Sequence, residues 1–98
     1  MSGFVQVVEW TTSQIEEMRR FNEEWRVRYP QMGPSRILLC ADRDDEGRYL
    51  AVVEFPSYEA AMRNSEDPAT TEFSERMNAL ADSPMTFRNL DVLTLEQQ

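Results

Sequence analysis

Apolar residues along the chain follow two different periods, which separate predicted strands from predicted helices. Four stretches rich in valine, leucine, isoleucine and aromatic residues predict strands at residues 4–10, 36–42, 48–55 and 86–93. After the first of them, apolar residues recur at spacings of three and four, as on one face of a helix: Ile15, Met18, Phe21, Trp25 and Tyr29. Ser13 and Glu16 have the spacing of a capping box, and Pro30 requires this helix to end before it.

The segment after the third predicted strand begins as a helix, stops and begins again. Ser57 is in the position of an N-cap, and the helical pattern weakens near Asn64. Asp67 and Pro68 then provide the N-cap and first residue of another helix. The element order is β-α-β-β-α-β with the second α split. This order predicts one α+β domain over residues 1–98, a ferredoxin-like sandwich with an antiparallel sheet.

The predicted strands are apolar on both faces. In the third strand, one face carries Tyr49, Ala51, Val53 and Phe55, and the opposite face carries Leu50 and Val52. An antiparallel sheet with helices on one face normally alternates apolar and polar residues, because its other face meets water. The second face therefore needs a cover that this chain does not encode. The simplest cover is another copy of the same sheet, so the sequence predicts a homodimer.

Several features occur in an order that resembles a known group of proteins. The first predicted strand ends in Trp10, Gly33 precedes the second strand, and VVEF is followed by SYEAAMRNSEDP. Over nearly its whole length the chain resembles the dimeric α+β barrel superfamily, in particular its antibiotic-biosynthesis-monooxygenase-like branch. In that superfamily two sheets pack face to face as a barrel, and a cavity lies between helices and sheet. The resemblance implies that the helix break between Asn64 and Pro68 lets the chain bend around a pocket.

The resemblance also implies which side chains line that pocket. It directs the Ala51 face of the third strand toward the helices and brings the helix stripes over it. The residues then expected to bind a ligand are Phe21, Trp25, Tyr49, Ala51, Phe55, Tyr58, Met62, Asn64, Phe73 and Met77. Most of them are apolar or aromatic, which suits a small hydrophobic or aromatic molecule. Asn64, Tyr49 and Tyr58 carry the polar groups that would orient it.

The residues used for catalysis in the superfamily are largely missing. The chain has no histidine, which haem-binding members use as the axial ligand. Cofactor-free oxygenases of the group rely on an Asn and a Trp where this chain has Ala51 and Phe55, and some on an Asn where it has Val8. We therefore assign no catalytic residue and expect no cofactor. Two alternatives to a binding protein stay open: a cofactor-independent monooxygenase acting on a polyphenol-like substrate, and a structural dimer without a small-molecule role. In the latter, Asp67 and Pro68 merely join two packed helices.

Other polar positions receive structural interpretations. Residues 42–47 begin like a calcium loop, but its bidentate glutamate would fall inside the third strand, so a solvated hairpin turn is expected and no metal site. Glu54 lies on a mostly apolar strand, and we expect an ion pair with Arg36 or Arg88 in preference to a general-base role. Cys40 is expected to be a small buried hydrophobic residue rather than a nucleophile.

Charge and cysteine content limit the partners and the compartment. The net charge is −8, and such a surface repels phosphate backbones and anionic lipid, so neither nucleic acid nor membrane is an expected partner. No apolar run approaches the roughly 18 residues of a membrane span. The single cysteine excludes an intramolecular disulfide, and residues 1–18 lack the basic start of a signal peptide. The expected location is the cytoplasm.

Overall fold

A computed structural model of the protein describes residues 3–30 and 33–97. Over these ranges it contains β1 (Phe4–Thr11), α1 (Ile15–Arg28), β2 (Arg36–Ala41), β3 (Arg48–Phe55), α2 (Tyr58–Glu66), α3 (Pro68–Leu80) and β4 (Thr86–Asp91). The order is β-α-β-β-α-β with the second helical unit split into α2 and α3. This confirms the predicted ferredoxin-like α+β fold.

The four strands form one antiparallel sheet in the order β2-β3-β1-β4. One row of paired residues crosses all of it. Val8 of β1 is opposite Ala51 of β3 and Phe87 of β4, and Ala51 is also opposite Leu39 of β2. Because directly paired residues project to the same side of a sheet, this register assigns every strand residue to one of two faces.

The helices pack on the face that contains the Ala51 row, which we call the helix face. Its buried hydrophobic residues form two clusters together with residues from the helices. One cluster consists of Phe4, Phe55 and Ala61, and the other of Val8, Trp10 and Met18. Tyr49, Ala51 and Val53 pack against the second cluster, so these residues and Phe55 share the helix face, as predicted.

The other side of the sheet, the open face, remains accessible. Its apolar residues are Val5, Val7, Leu38, Cys40, Leu50, Val52 and Leu90. Leu38 is 41% exposed and Leu90 is 43% exposed. Cys40 is also exposed, so the prediction that it is buried is wrong for the single chain. The reason is that Cys40 projects from the open face, opposite Leu50.

The glutamate on the open face has the partner that was expected. Arg36 Nη2 lies 2.7 Å from Glu54 Oε2, and Arg36 Nε donates to the same oxygen at 3.1 Å. The two residues are directly opposite each other on β2 and β3. The hydrogen bond to Glu54, reinforced by the attraction of its charge, raises the pKa of Arg36. The structure therefore confirms pairing with Arg36, one of the two predicted partners.

Helix α1 begins differently from the prediction. Its first residue is Ile15, and its N-cap residue, Gln14, makes no side-chain capping hydrogen bond. The predicted capping box of Ser13 and Glu16 is therefore wrong. The Ser13 N–H instead donates to a carboxylate oxygen of Asp82 at 2.8 Å. The Gln14 N–H donates to the Thr12 hydroxyl at 2.9 Å. Asp82, just after α3, thus satisfies the Ser13 N–H that a capping box would use, and the neighbouring Thr12 satisfies the Gln14 N–H.

The helix break lies where the sequence placed it. The Asp67 N–H donates to the Asn64 carbonyl at 3.2 Å and closes α2. The Asp67 carboxylate accepts from the Ala69 N–H at 2.9 Å and caps α3, whose first residue is Pro68. A single residue therefore ends one helix and begins the next.

Replacing Asp67 with alanine should lower the free energy of unfolding by about 1 kcal/mol, because the N-cap acceptor of α3 is lost. Chemical denaturation followed by circular dichroism measures this change. Asp67→Ser is the matched control, since serine also accepts a hydrogen bond from the first turn and should retain most of the stability. Equal losses in both variants would contradict a capping role.

The connection between β2 and β3 is a solvent-exposed turn, as predicted. Gly47 has a φ of 89°, a conformation that glycine adopts without strain. The Asp44 N–H donates to the Asp42 carboxylate at 2.9 Å within the turn. In the described parts of the chain, no cluster of three or more His, Cys, Asp or Glu could hold a metal ion. Over the same ranges, the helices are too short or too polar to cross a membrane.

Candidate functional site

The predicted ligand-binding residues come from α1, β3, α2 and α3, and the structure arranges nine of the ten in three groups. The first is the helix aromatic cluster, made of the predicted residues Phe21, Trp25 and Phe73 together with Tyr29, which was not among the predicted ligand-binding residues. Its ring centroids are 5.5 Å apart for Phe21 and Trp25, 5.5 Å for Phe21 and Phe73, and 5.6 Å for Trp25 and Phe73. These separations are typical of directly interacting rings. The spacing of four along α1 brings its aromatic residues to one side, where Phe73 of α3 meets them, and all four are half-buried.

The second group lies at the end of β3. Phe55 is buried with its ring centroid 6.4 Å from that of Phe4, and Phe4 makes an edge contact with Tyr58 at 5.4 Å. Met62 packs against the same cluster. Phe55 therefore packs beside the start of β1, whereas Trp25 and Phe73 pack on each other. Tyr58 is 52% exposed, so its hydroxyl group has access to solvent at this end.

The third group lies at the centre of the helix face. Tyr49, Ala51 and Met77 pack against the cluster of Val8, Trp10 and Met18. The ring centroids of Tyr49 and Trp10 are 6.3 Å apart. Val53, which packs against both buried clusters, connects this group to the second one.

The centre of the helix face is incompletely covered. Tyr49, Ala51 and Val53 are only half-buried, although β3 is an interior strand and these residues face the helices. Trp25, Phe73 and Met77 on the helices are half-buried as well. We call the region between these two sets of side chains the central groove.

Asn64, the predicted polar group near the helix break, is half-buried and already engaged. Its backbone carbonyl accepts the Asp67 N–H, and its Oδ1 accepts from the Thr70 hydroxyl at 3.4 Å. Asn64 therefore contributes to the junction of α2 and α3. Whether its amide also contacts a ligand stays a prediction.

Two polar features of the helix face were not predicted from the sequence. The Trp10 side chain is buried, and its Nε1 has no hydrogen-bond partner among the described residues. Gln6 Nε2 donates to Asn89 Oδ1 at 3.1 Å across β1 and β4. The position of Gln6 could have been predicted from the sequence. It alternates along β1 with Phe4 and Val8 and is the one polar residue among the apolar residues on that face of the strand. The lone N–H of Trp10 has no sequence signature, since it depends on how distant residues pack.

Two open concavities lie at the hairpin end of the sheet. One, of about 230 Å³, is lined by residues that include Glu9, Cys40 and Arg48. The other, of about 520 Å³, is lined by residues that include Thr12 and Asp82. Tyr49 lines both, and the other predicted ligand-binding residues line neither.

The cation in the smaller concavity is already paired. Arg48 Nη1 lies 2.6 Å from Glu9 Oε2, and Arg48 Nε lies 2.9 Å from Asp45 Oδ2. The hydrogen bonds to Asp45 and Glu9 raise the pKa of Arg48. The concavity therefore offers no uncompensated positive charge at Arg48 to an anionic ligand. We take the central groove as the candidate site, because five of the ten predicted ligand-binding residues border it: Trp25, Tyr49, Ala51, Phe73 and Met77.

A four-stranded antiparallel sheet covered on one face by α1, α2 and α3 defines a ferredoxin-like α+β protein, with the central groove between the layers. Solved structures share this arrangement. A single-site mutant of SnoaB, a cofactor-independent oxygenase from Streptomyces nogalater, matches with a TM-score of 0.81 and 15% identity over 98% of each chain. Rv0793 from Mycobacterium tuberculosis matches with a TM-score of 0.74 and 12% identity, covering 97% of this chain and 99% of its own. An antibiotic biosynthesis monooxygenase matches with a TM-score of 0.68 and 17% identity, covering 94% of this chain and 99% of its own.

These matches confirm the resemblance at the level of the fold. The chain has the fold of the antibiotic-biosynthesis-monooxygenase-like proteins, and sequence identities this low carry no further assignment of activity. No protein-family model matches the sequence, and no curated protein matches it.

Proposed function

We propose that the protein is a homodimeric α+β barrel whose subunits each bind a small hydrophobic or aromatic molecule in the central groove. The observation that carries this proposal is the half-burial of Tyr49, Ala51 and Val53 on an interior strand. In a filled sandwich, side chains that face the helices from an interior strand are buried. An apolar surface that stays accessible between two layers is characteristic of small-molecule sites.

The proposed dimer is supported by the amount of surface that the single chain exposes. A compact monomer of this mass, 11.5 kDa, exposes about 5,800 Å². This chain exposes 7437 Å². The excess of about 1,600 Å² is more than the roughly 800 Å² that each partner buries in a stable interface of standard size. A second chain is the simplest way to remove it from water.

The composition of the open face supports the same assembly. Leu38, Val52 and Val7 form an apolar row across β2, β3 and β1, with Leu90 of β4 nearby. A second copy that stacks its own open face on this row buries both sets of side chains, in the manner of two face-to-face sheets. Because the helix face lies on the other side, such a dimer leaves the central groove of each subunit free.

The groove favours binding over catalysis. Its walls carry apolar and aromatic side chains, and the chain has no histidine to act as a general base. Ala51 and Phe55 stand where the resemblance places the Asn and Trp of cofactor-free oxygenases. The alternative, a cofactor-independent monooxygenase, is supported by the fold shared with SnoaB, which is described as a cofactor-independent oxygenase. Binding and turnover are separable by experiment.

Titration with planar aromatic compounds should quench the fluorescence of Trp25 in a saturable manner, because this ring forms one wall of the groove. Reduced polyphenols should cause little or no oxygen consumption above the protein-free rate, measured with an oxygen electrode. In Trp25→Phe, calorimetry should still detect the ligand while the quenching decreases. Absence of binding by both methods would refute the proposal, and sustained oxygen uptake would favour the monooxygenase.

A further inference from the structure

The most unusual polar group on the helix face is the indole N–H of Trp10. The side chain is only 5% exposed, and Nε1 has no acceptor among the described residues. Buried tryptophan side chains normally place this N–H against an acceptor, because leaving it unpaired costs the hydrogen bond that it makes with water. The structure therefore contains a donor that requires a partner from outside the described residues.

The hydrophobic side chains around Trp10 offer few acceptors for this N–H. The partly buried hydrophobic side chains packed against its cluster are Ile15, Tyr49, Ala51, Val53, Met77, Leu80, Ala81 and Met85. Within this set the hydroxyl of Tyr49 is the one strong hydrogen-bonding group on a side chain, and Trp10 Nε1 makes no bond to it. Tyr49 and Ala51 pack against this cluster and border the central groove, so an acceptor that binds in the groove would lie beside the cluster that contains Trp10.

The methionine side chains around Trp10 make entry of an acceptor feasible. Met18 belongs to the buried cluster, and Met77 and Met85 pack against it. Methionine side chains are unbranched and change rotamer easily, so they adapt to irregular neighbours. A planar molecule that displaces one of them would meet the Tyr49 ring, whose centroid is 6.3 Å from that of Trp10.

We propose that the Trp10 Nε1–H anchors the ligand of the central groove by donating a hydrogen bond to an uncharged oxygen, such as the carbonyl group of an aromatic ketone. This inference rests on the proposed binding function and narrows its ligand class. The indole N–H is a donor only, so it selects an acceptor. A charged carboxylate is disfavoured, because it would lose hydration among the apolar side chains that pack against the Trp10 cluster.

Two compounds of nearly the same shape test the hydrogen bond. 2-Acetylnaphthalene has a carbonyl group attached to the ring where 2-ethylnaphthalene has a methylene group. Equilibrium dialysis should show that the wild-type protein binds the acetyl compound roughly three- to tenfold more tightly, as one net hydrogen bond predicts. In Trp10→Phe, which keeps an aromatic ring and removes the donor, the two affinities should become nearly equal. Trp25→Phe, the matched control, should weaken both compounds alike and preserve their ratio.

A second measurement keeps the inference testable if Trp10→Phe does not fold. The wild-type protein has two indole N–H signals in a ¹H–¹⁵N spectrum, since it has two tryptophans. The Trp25→Phe variant assigns them. Saturation with 2-acetylnaphthalene should move the Trp10 signal downfield, and 2-ethylnaphthalene should not reproduce this shift.

The outcomes separate the inference from the proposed function. If neither compound binds, the proposed binding function and the role of Trp10 are both refuted. If both bind the wild-type protein equally, or if the Trp10 signal does not respond to the acetyl compound, binding stands and the role of Trp10 is overturned. A permanently bound water as the acceptor would produce that second result.

Discussion

Val52→Glu should convert the proposed dimer into single chains. Val52 lies in the middle of the open face, opposite Val7 on β1 and Leu38 on β2. If two open faces stack, the substitution places a carboxylate from each subunit beside Val7 and Leu38 in the interface. The loss of hydration costs on the order of several kcal/mol for each charge. Because the interface replaces solvent over much of the sheet, the separated chains should also unfold more readily.

Size-exclusion chromatography coupled to light scattering measures the result. The wild-type protein should have twice the 11.5 kDa mass of one chain, and the variant should have the mass of one chain or unfold. Val27→Glu is the matched control, because Val27 is 77% exposed on α1 and should tolerate the same change. A wild-type protein that is monomeric at micromolar concentration would refute the barrel, and a dimeric Val52→Glu variant would place the interface elsewhere.

Ala51→Phe should abolish ligand binding while the dimer persists. Ala51 lies in the central groove between Val8 and Leu39 of the neighbouring strands. A phenyl ring at this position projects from the helix face into the space that the ligand would occupy. The open face is unchanged, so the subunit interface should keep its stability. We expect the affinity for planar aromatic compounds to fall below detection, which calorimetric titration measures directly.

Ala79→Phe provides the comparison for Ala51→Phe. It adds the same ring at an exposed position of α3 and should leave binding unchanged. Unaltered binding by Ala51→Phe would show that the ligand site lies outside the central groove. Loss of the dimer in Ala51→Phe would show that the helix face, rather than the open face, forms the subunit interface.

Local signals explain why the element order could be predicted. Asp67 and Pro68 mark the helix break through their own backbone preferences, and the structure uses Asp67 as the N-cap of α3. Gly47 likewise occupies the positive-φ position of the hairpin. Alternation along β3 also identified the residues that share a face. Which of the two faces meets the helices came from the family resemblance, because the apolar pattern of these strands is similar on both sides.

The errors and omissions involve contacts between distant parts of the chain. Ser13 has the local form of a helix cap, but Asp82 binds its N–H from the far end of α3. Cys40 has the sequence environment of a buried residue, and its exposure follows from the lack of a cover on the open face. The grouping of Phe55 with Phe4, and of Trp25 with Phe73, depends on where each helix lies along the sheet. Residue spacing within one element does not contain that information.

The position of β1 in the sheet has a consequence for protein synthesis. Residues 4–11 are synthesised before the other strands of the sheet, yet their partners are β3, which ends at Phe55, and β4, which ends at Asp91. Until those segments emerge, both edges of an apolar strand lack their native partners, a condition that promotes wrong association and recruits chaperones. Because such pairings are distant in sequence, the sheet also forms slowly once its parts are present. β4, the last strand of the sheet to be made, completes the pairing of β1. The sheet therefore reaches its native pairing only after β4 has been synthesised.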